Sequence, residues 1–376
     1  MKSILLINSS RRLDPILEDV FSRLYFKGWN FFAWTARPKA NVKLLEKTNA
    51  KISYLKFGPN INNRSGRTAF LLLLPFLKIY YLAKLFFLNK KRPIGVLIAV
   101  NLKEKILFSS LARWFKIKLV FIELPENDYL KISSGLKNKL LTASGRAKVI
   151  CFNNNSREKL LRLGVKEERI NIIQPGTKIS AREQPSLYNA LAEGSQFHKK
   201  FFTIGTIADL DKKQKIEILF KAVKECSLAI PNLQLVIIGD GKEKKNLSWT
   251  AKQLKIDTKV WFISEPNFPK KWLDNFEIYV STCDLPRLND FFYVLQAMSG
   301  LIPVIAPAGL GFEDLIVQNK TGSLIEMDLS EMLARQIIKL YQNKNLRTQL
   351  GENALKLVDS QFSLDKMIDN FEKALL

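Results

Sequence analysis

Histidine is almost absent from this sequence and cysteine is scarce: His198 stands alone, with Cys151, Cys226 and Cys283 far apart. One imidazole and no G-x-S-x-G stretch exclude a Ser-His-Asp hydrolase unless His198 serves it. An odd, dispersed set of thiols with no C-x-x-C pair excludes a disulfide framework or thiolate zinc site and suits a reducing compartment. The opening MKSILLINSS has too short an apolar part for a signal peptide, so a cytoplasmic protein is expected. Acidic residues are missing altogether between Glu46 and Glu104. Residues 1–200 hold 37 Lys and Arg against 13 Asp and Glu, an excess equal to the net charge of +24, and in 201–376 the two signs cancel at 22 each. Such one-sided charge attracts a polyanion, either nucleic acid or an anionic membrane surface. The first half has no aromatic RNA-binding signature or known module, so no specific nucleic acid is expected.

The rest of the composition, 47% hydrophobic and 25% charged over 376 residues, is that of a globular chain long enough for two domains. Apolar runs recur at 3–8, 30–35, 95–100, 118–123, 148–153 and 170–174, separated by helical periods such as 14–27, 103–115 and 155–163. The pattern restarts at 201–208, 233–239, 259–263, 277–281, 302–306 and 322–326, with further helices from about 328 onward. Strands alternating with helices predict parallel sheets covered on both faces, with ligands at the carboxyl ends of the strands. The boundaries expected are a first domain over 1–180, a polar linker over 181–200, a second domain over 201–360 and a final helix over 361–376.

One stretch breaks the soluble pattern. RTAFLLLLPFLKIYYLAKLFFLNKKR (67–92) is apolar apart from Lys78 and Lys84 and has cationic ends. It nears the ~20 apolar residues that span a bilayer. Its two lysines, Pro75 and the strand pattern resuming at Gly95 predict instead a crossover helix. A helix apolar nearly all round with cationic ends suits a membrane interface; the alternative is a greasy helix packed on the sheet.

From Gly205 to Ser363 a series of short motifs occurs in order: IGTIADLDKKQKIEILFKA (204–222), LVIIGDGKEKKNL (235–247), VWFISEPN (260–267), FEIYVST (276–282), QAMSGLIPVIAPAGLGFEDLIVQNKTGSLIE (296–326) and RTQLGENALKLVDSQFS (347–363). Together they resemble the C-terminal domain of retaining glycosyltransferase family 4 (glycosyl transferases group 1), and SREKLLRLGVKEERINIIQPG (156–176) resembles the end of that family's acceptor domain. The resemblance implies an α/β protein of GT-B fold, two doubly wound Rossmann-like domains facing a cleft, the second holding the donor and the last helix packing back on the first. It implies transfer of a sugar from a nucleotide-diphosphate donor to a glycan or lipid-linked acceptor, with retained configuration, and the apolar 67–92 stretch in its acid-free surroundings leads us to expect this at the inner face of the cell membrane. No cofactor and no obligatory metal are expected, because basic side chains and backbone amides can neutralise the departing diphosphate.

The departures from the family pattern bear on the site. The family's Arg position is Asp209 and its Lys position Gln214, with Lys212, Lys213 and Lys215 beside them as substitute charge or as a solvated turn. Of two glutamates eight positions apart, the first is Leu288 and the second Gln296, whose amide oxygen can still accept from a ribose hydroxyl. The glycine near the start of that helix is Phe291, and Arg287 just upstream can reach a phosphate. GLGFED (309–314) keeps Gly309, Gly311 and Glu313; its glycines allow close approach, and Gly311 is expected to precede a helix whose amides face the donor. In the first domain NSSRRLDP offers Arg11 and Arg12, and FIELPEND places Glu123 and Glu126 where a carboxylate can orient a sugar hydroxyl or act as base. Three functional readings stay open: a glycosyltransferase, a catalytically degenerate GT-B partner subunit of an active one, and an anion-binding protein using its basic first half.

Overall fold

Runs of apolar residues without polar alternation suit strands buried on both faces, and parallel sheets flanked by helices provide that environment. In a computed structural model of the chain the described residues are 2–10, 13–36, 50–61, 63–127, 129, 132–178, 201–264, 272–326 and 329–376. The expected linker 181–200, with His198, and Arg11, Arg12 and Asp128 lie outside them.

The first sheet comprises β1 (Ser3–Asn8), β2 (Asn30–Thr35), β3 (Lys51–Tyr54), β4 (Val96–Ala99), β5 (Lys118–Ile122), β6 (Lys148–Cys151) and β7 (Ile170–Ile172). Its order is β3-β2-β1-β4-β5-β6-β7, parallel throughout, with Ile4 opposite Phe31 on one side and Val96 on the other. Around it run α1 (Pro15–Phe26), α2 (Arg64–Lys91), α3 (Leu102–Trp114), α4 (Ser134–Ser144) and α5 (Asn154–Leu163). Strand β3 was not anticipated from the sequence: only four residues long, it lies at the sheet edge with Lys51 and Tyr54 exposed, and so lacks a buried run.

The second sheet comprises β8 (Phe202–Ile207), β9 (Leu233–Ile238), β10 (Val260–Ile263), β11 (Ile278–Val280), β12 (Val304–Pro307) and β13 (Ser323–Ile325), in the parallel order β10-β9-β8-β11-β12-β13. Its helices are α6 (Ile216–Cys226), α7 (Lys244–Gln253), α8 (Leu288–Ser299), α9 (Ser330–Gln342) and α10 (Lys344–Gln361); α11 (Leu364–Leu375) closes the chain. Both sheets are doubly wound, with strand order reversing between β1 and β4 and again between β8 and β11. Loops leaving two such adjacent strands diverge to opposite faces and leave a crevice at the strands' carboxyl ends.

By contacts the chain divides into Met1–Gln174 with Ile368–Leu376, and Pro175–Met367. Of the expected terminal helix over 361–376, the part from Ile368 onward therefore belongs with the first unit. Phe371 is fully buried with its ring 6.1 Å from Phe152, and Glu372 accepts from Lys2 Nζ at 2.8 Å and Trp29 Nε1 at 3.0 Å. Burial of an aromatic ring contributes far more than an exposed ion pair. Phe371→Ala is expected to destabilise the first unit by about 3–5 kcal/mol and Lys2→Ala by less than about 1 kcal/mol, as measured by urea unfolding.

Candidate functional site

The β8/β11 crevice is built by two loops that bind each other. Beyond β8 the chain passes through Asp209 and Leu210 to Asp211, which caps the short turn Lys212–Gln214 by accepting the Lys213 N–H at 2.9 Å. The neighbouring GDG turn supports this loop from below: a Cβ on Gly241 would lie 2.2 Å from the Leu210 carbonyl oxygen, so only glycine fits. Beyond β11, Thr282 Oγ1 donates to the Gln214 carbonyl at 2.6 Å, and Asp284 N donates to the Lys213 carbonyl at 2.9 Å.

The second loop ends at Arg287, the residue capping α8. Asp290 in the first turn of α8 accepts the Arg287 N–H at 2.7 Å and the Gln214 side-chain amide at 3.3 Å. Burial pushes the Asp290 carboxyl up to about 6, against the opposing pull of those two donors. The Arg287 guanidinium reaches back across the crevice, with Nη1 on Asp209 at 2.5 Å and Nη2 on Asp211. The aspartate that alone would repel a phosphate is thus neutralised by an arginine from the opposite loop. One guanidinium against two carboxylates leaves the trio with one net negative charge.

The other candidates occupy distinct environments. Gln214 is buried and committed to Asp290. Of the three lysines offered as substitute charge, Lys215 Nζ lies 3.6 Å from Asp284, while exposed Lys212 and Lys213 form no ion pair among the described residues. Leu288 and Phe291 are core residues, and the Phe291 ring lies 4.6 Å from Phe312, filling space a glycine would leave. Gln296 Oε1 is buried and has no hydrogen-bond partner among the described residues. Gly309 and Gly311 both have left-handed backbones, φ 78° and 97°, which explains glycine at each. The expected helix after Gly311 is only a single 3-10 turn, Phe312–Asp314, too short to sum a dipole. The amides of Gly309 and Gly311 are already satisfied: both donate to the Glu313 carboxylate, the second at 2.9 Å.

In the first unit Glu123 is not open to a ligand. It is buried and paired at 2.6 Å with Lys105 Nζ, itself fully buried, while Tyr129 Oη and Asn127 Nδ2 donate to its other oxygen. Burial lowers the Lys105 pKa and the Glu123 carboxylate opposes that shift. Half-buried Glu126 lies near Asp14, whose carboxyl burial pushes up to about 7 with help from the charges of Glu126 and Glu18. At the β1/β4 reversal, fully buried Glu104 accepts the N–H groups of Ser9, Val100 and Asn101. Asp211, Glu104, Lys105 and Asp14 were not singled out in the sequence. Lys105 carried a signal, since it falls three residues from both Leu102 and Phe108 on the apolar stripe of α3. Among the described residues, no group of three or more His, Cys, Asp and Glu could hold a metal ion.

Residues 189–357 match the family described as glycosyl transferases group 1. An uncharacterized glycosyltransferase of Haemophilus influenzae is 25% identical over 174 residues, covering 46% of this chain and 48% of that protein, so the chain spans about half that relative's length. The capsular polysaccharide biosynthesis glycosyltransferase CapM of Staphylococcus aureus is 24% identical over 65% of this chain and 62% of its own. Among solved structures, Anabaena Alr3699/HepE in complex with UDP superposes with a TM-score of 0.81 at 17% identity, over 99% of both chains. The GT-B fold is therefore that of this protein.

Removing one partner of a buried ion pair leaves the other charge uncompensated. Lys105→Met is expected to cost about 3–5 kcal/mol, and adding Glu123→Gln should restore most of it in denaturant titrations. Asp290 titrates higher in the folded than in the unfolded chain, so its protonation stabilises the fold at acidic pH. That contribution is fully present below about 4 and is lost as pH rises through about 6; Asp290→Asn should flatten the stability profile over this window.

Proposed function

We propose, from the premise that residues 189–357 are a glycosyl transferases group 1 domain on a GT-B frame, that this protein transfers a sugar from a nucleotide-diphosphate donor to a glycan or lipid-linked acceptor. The reaction retains the anomeric configuration and takes place at the cytoplasmic face of a membrane. The UDP bound by the Anabaena neighbour and the capsular polysaccharide role named for the Staphylococcus relative support the donor and acceptor classes. The observation that carries the reading is Arg287, held at the β8/β11 switch point by Asp209 and Asp211, with Lys212 and Lys213, which form no ion pair among the described residues, in the same loop.

The chemistry asks for positive charge where the diphosphate leaves. A guanidinium offers two parallel donors to a phosphate, as it does here to two carboxylates. Donor binding exchanges a carboxylate on Arg287 for diphosphate oxygens, and Lys212 and Lys213 add flexible charge. Gln296 Oε1, buried and unpartnered, accepts a hydrogen bond from a ribose hydroxyl. The Gly309 and Gly311 amides receive donor oxygens in place of Glu313. In this reading no metal and no cofactor take part. In this reading Glu126 orients an acceptor hydroxyl, while Glu123, bound by Lys105 and Tyr129, holds its loop.

Two observations favour a second reading. The Arg287 trio is net negative, and Leu288 and Phe291 are packed as core, as suits a degenerate subunit that steadies an active transferase. Calorimetry with UDP, GDP and ADP separates the two. The enzyme reading expects one nucleotide to bind, Arg287→Ala to weaken it by about 1.5–3 kcal/mol, and Asp209→Asn to tighten it several-fold. A folded protein that binds none of them leaves the partner-subunit reading.

A further inference from the structure

Helix α2 divides its apolar residues between two opposite faces. Phe70, Leu74, Tyr81 and Leu85, spaced four and seven apart, form one stripe that is almost completely buried. Tyr81 anchors it: its ring stacks on Phe57 at 5.7 Å and its hydroxyl donates to the Lys56 carbonyl at 2.9 Å. The opposite side carries Leu72, Phe76, Ile79, Phe86 and Phe87, with Leu72 71%, Phe76 70% and Ile79 67% exposed. Beyond its end, Trp114 is 76% exposed, next to Phe115, whose ring lies 6.5 Å from Phe86. A single exposed leucine needs no explanation, but a continuous apolar face of this kind marks an interaction surface.

Two features identify what covers this face. At about 3.6 residues per turn Lys78 and Lys84 fall on the two flanks between the buried stripe and the exposed face, so neither interrupts it. This is where lysines sit when stems lie in an apolar phase and ammonium groups rise to its boundary. The helix ends carry Arg64, Arg67, Lys90, Lys91 and Arg92, and no acidic residue occurs from 47 to 103. On one flank burial lowers the Lys78 pKa, and the positive charges of Lys139 and Arg146, from α4 and the turn after it, lower it further. None of Lys78, Lys139 and Arg146 forms an ion pair among the described residues. Like charges gathered without a counter-ion suit an anion from outside.

We infer that α2 lies in the plane of an anionic lipid bilayer, with Leu72, Phe76, Ile79, Phe86 and Phe87 below the headgroups and Lys78, Lys139 and Arg146 receiving lipid phosphates along one flank. The helix is long and apolar enough to cross a membrane. It lies flat instead, because crossing would strip Phe70, Leu74, Tyr81 and Leu85 from the sheet and break a crossover between parallel strands β3 and β4. The inference deepens the membrane part of the proposed function and does not depend on the donor.

The test is flotation of the full chain with phosphatidylcholine vesicles and with vesicles doped with phosphatidylglycerol. The wild type floats weakly with the first and strongly with the second. Phe76→Ser/Phe87→Ser floats with neither. Lys78→Gln/Lys139→Gln/Arg146→Gln keeps the weak binding and loses the anionic gain, roughly fivefold per charge and on the order of a hundredfold in all. UDP titration of the same samples reads the second unit separately, so vesicle binding and nucleotide binding can each fail alone. Equal flotation of the wild type on both vesicles, or of either variant with the wild type on the phosphatidylglycerol vesicles, overturns the inference. So does a wild type that sediments as a dimer without vesicles and becomes monomeric in Phe76→Ser/Phe87→Ser, which assigns the face to a second copy.

Discussion

Parallel strands can be joined only by crossovers, and crossovers on a twisted sheet pass almost always with one hand. A chain that begins mid-sheet, builds outward one way and then returns to build the other must send the loops of two neighbouring strands to opposite faces. This happens between β1 and β4 and again between β8 and β11. Each unit thereby acquires a crevice before any side chain is specified. In the first, the carboxylate of Glu104 closes the gap on the amides of Ser9, Val100 and Asn101. In the second, Arg287 with its two aspartates occupies it.

Charge is handled in opposite ways in different parts of the molecule. Where ions are buried they are matched: Lys105 has Glu123, and Asp290 has the Arg287 amide and the Gln214 side chain. In a low dielectric an unmatched charge would be costly, so each of these clusters also fixes the geometry of its loop. Around α2 the cations form no ion pair among the described residues, an arrangement an anionic surface would favour. A folding demand governs the first group and places no such requirement on the second.

The fold was legible in the sequence because burial on both faces leaves continuous apolar runs, and β1, β8 and β9 are wholly buried. The edge strand β3 was illegible because an exposed four-residue strand leaves no such run. At the site, spacing located α8 and the glycine turn, but not the pairings. Asp209 read by itself is an obstacle to a phosphate; beside Arg287, 78 positions away, it is half of an ion pair. Glu313 read by itself is a free carboxylate, and only the backbone at Gly309 and Gly311 shows it folded onto its own loop. Long-range partners leave no local pattern, so these pairings could not be read from the residues alone.

The turn at Gly309–Glu313 has a consequence for selectivity. Two left-handed glycines aim their amides at one point, and the chain supplies its own anion there from two and four residues away. The loop is therefore ordered without help from solution, and an arriving anion faces a tethered competitor of at least roughly millimolar effective concentration. A small anion that grips only these two amides loses that contest. A ligand also held elsewhere would have further contacts with which to displace the carboxylate.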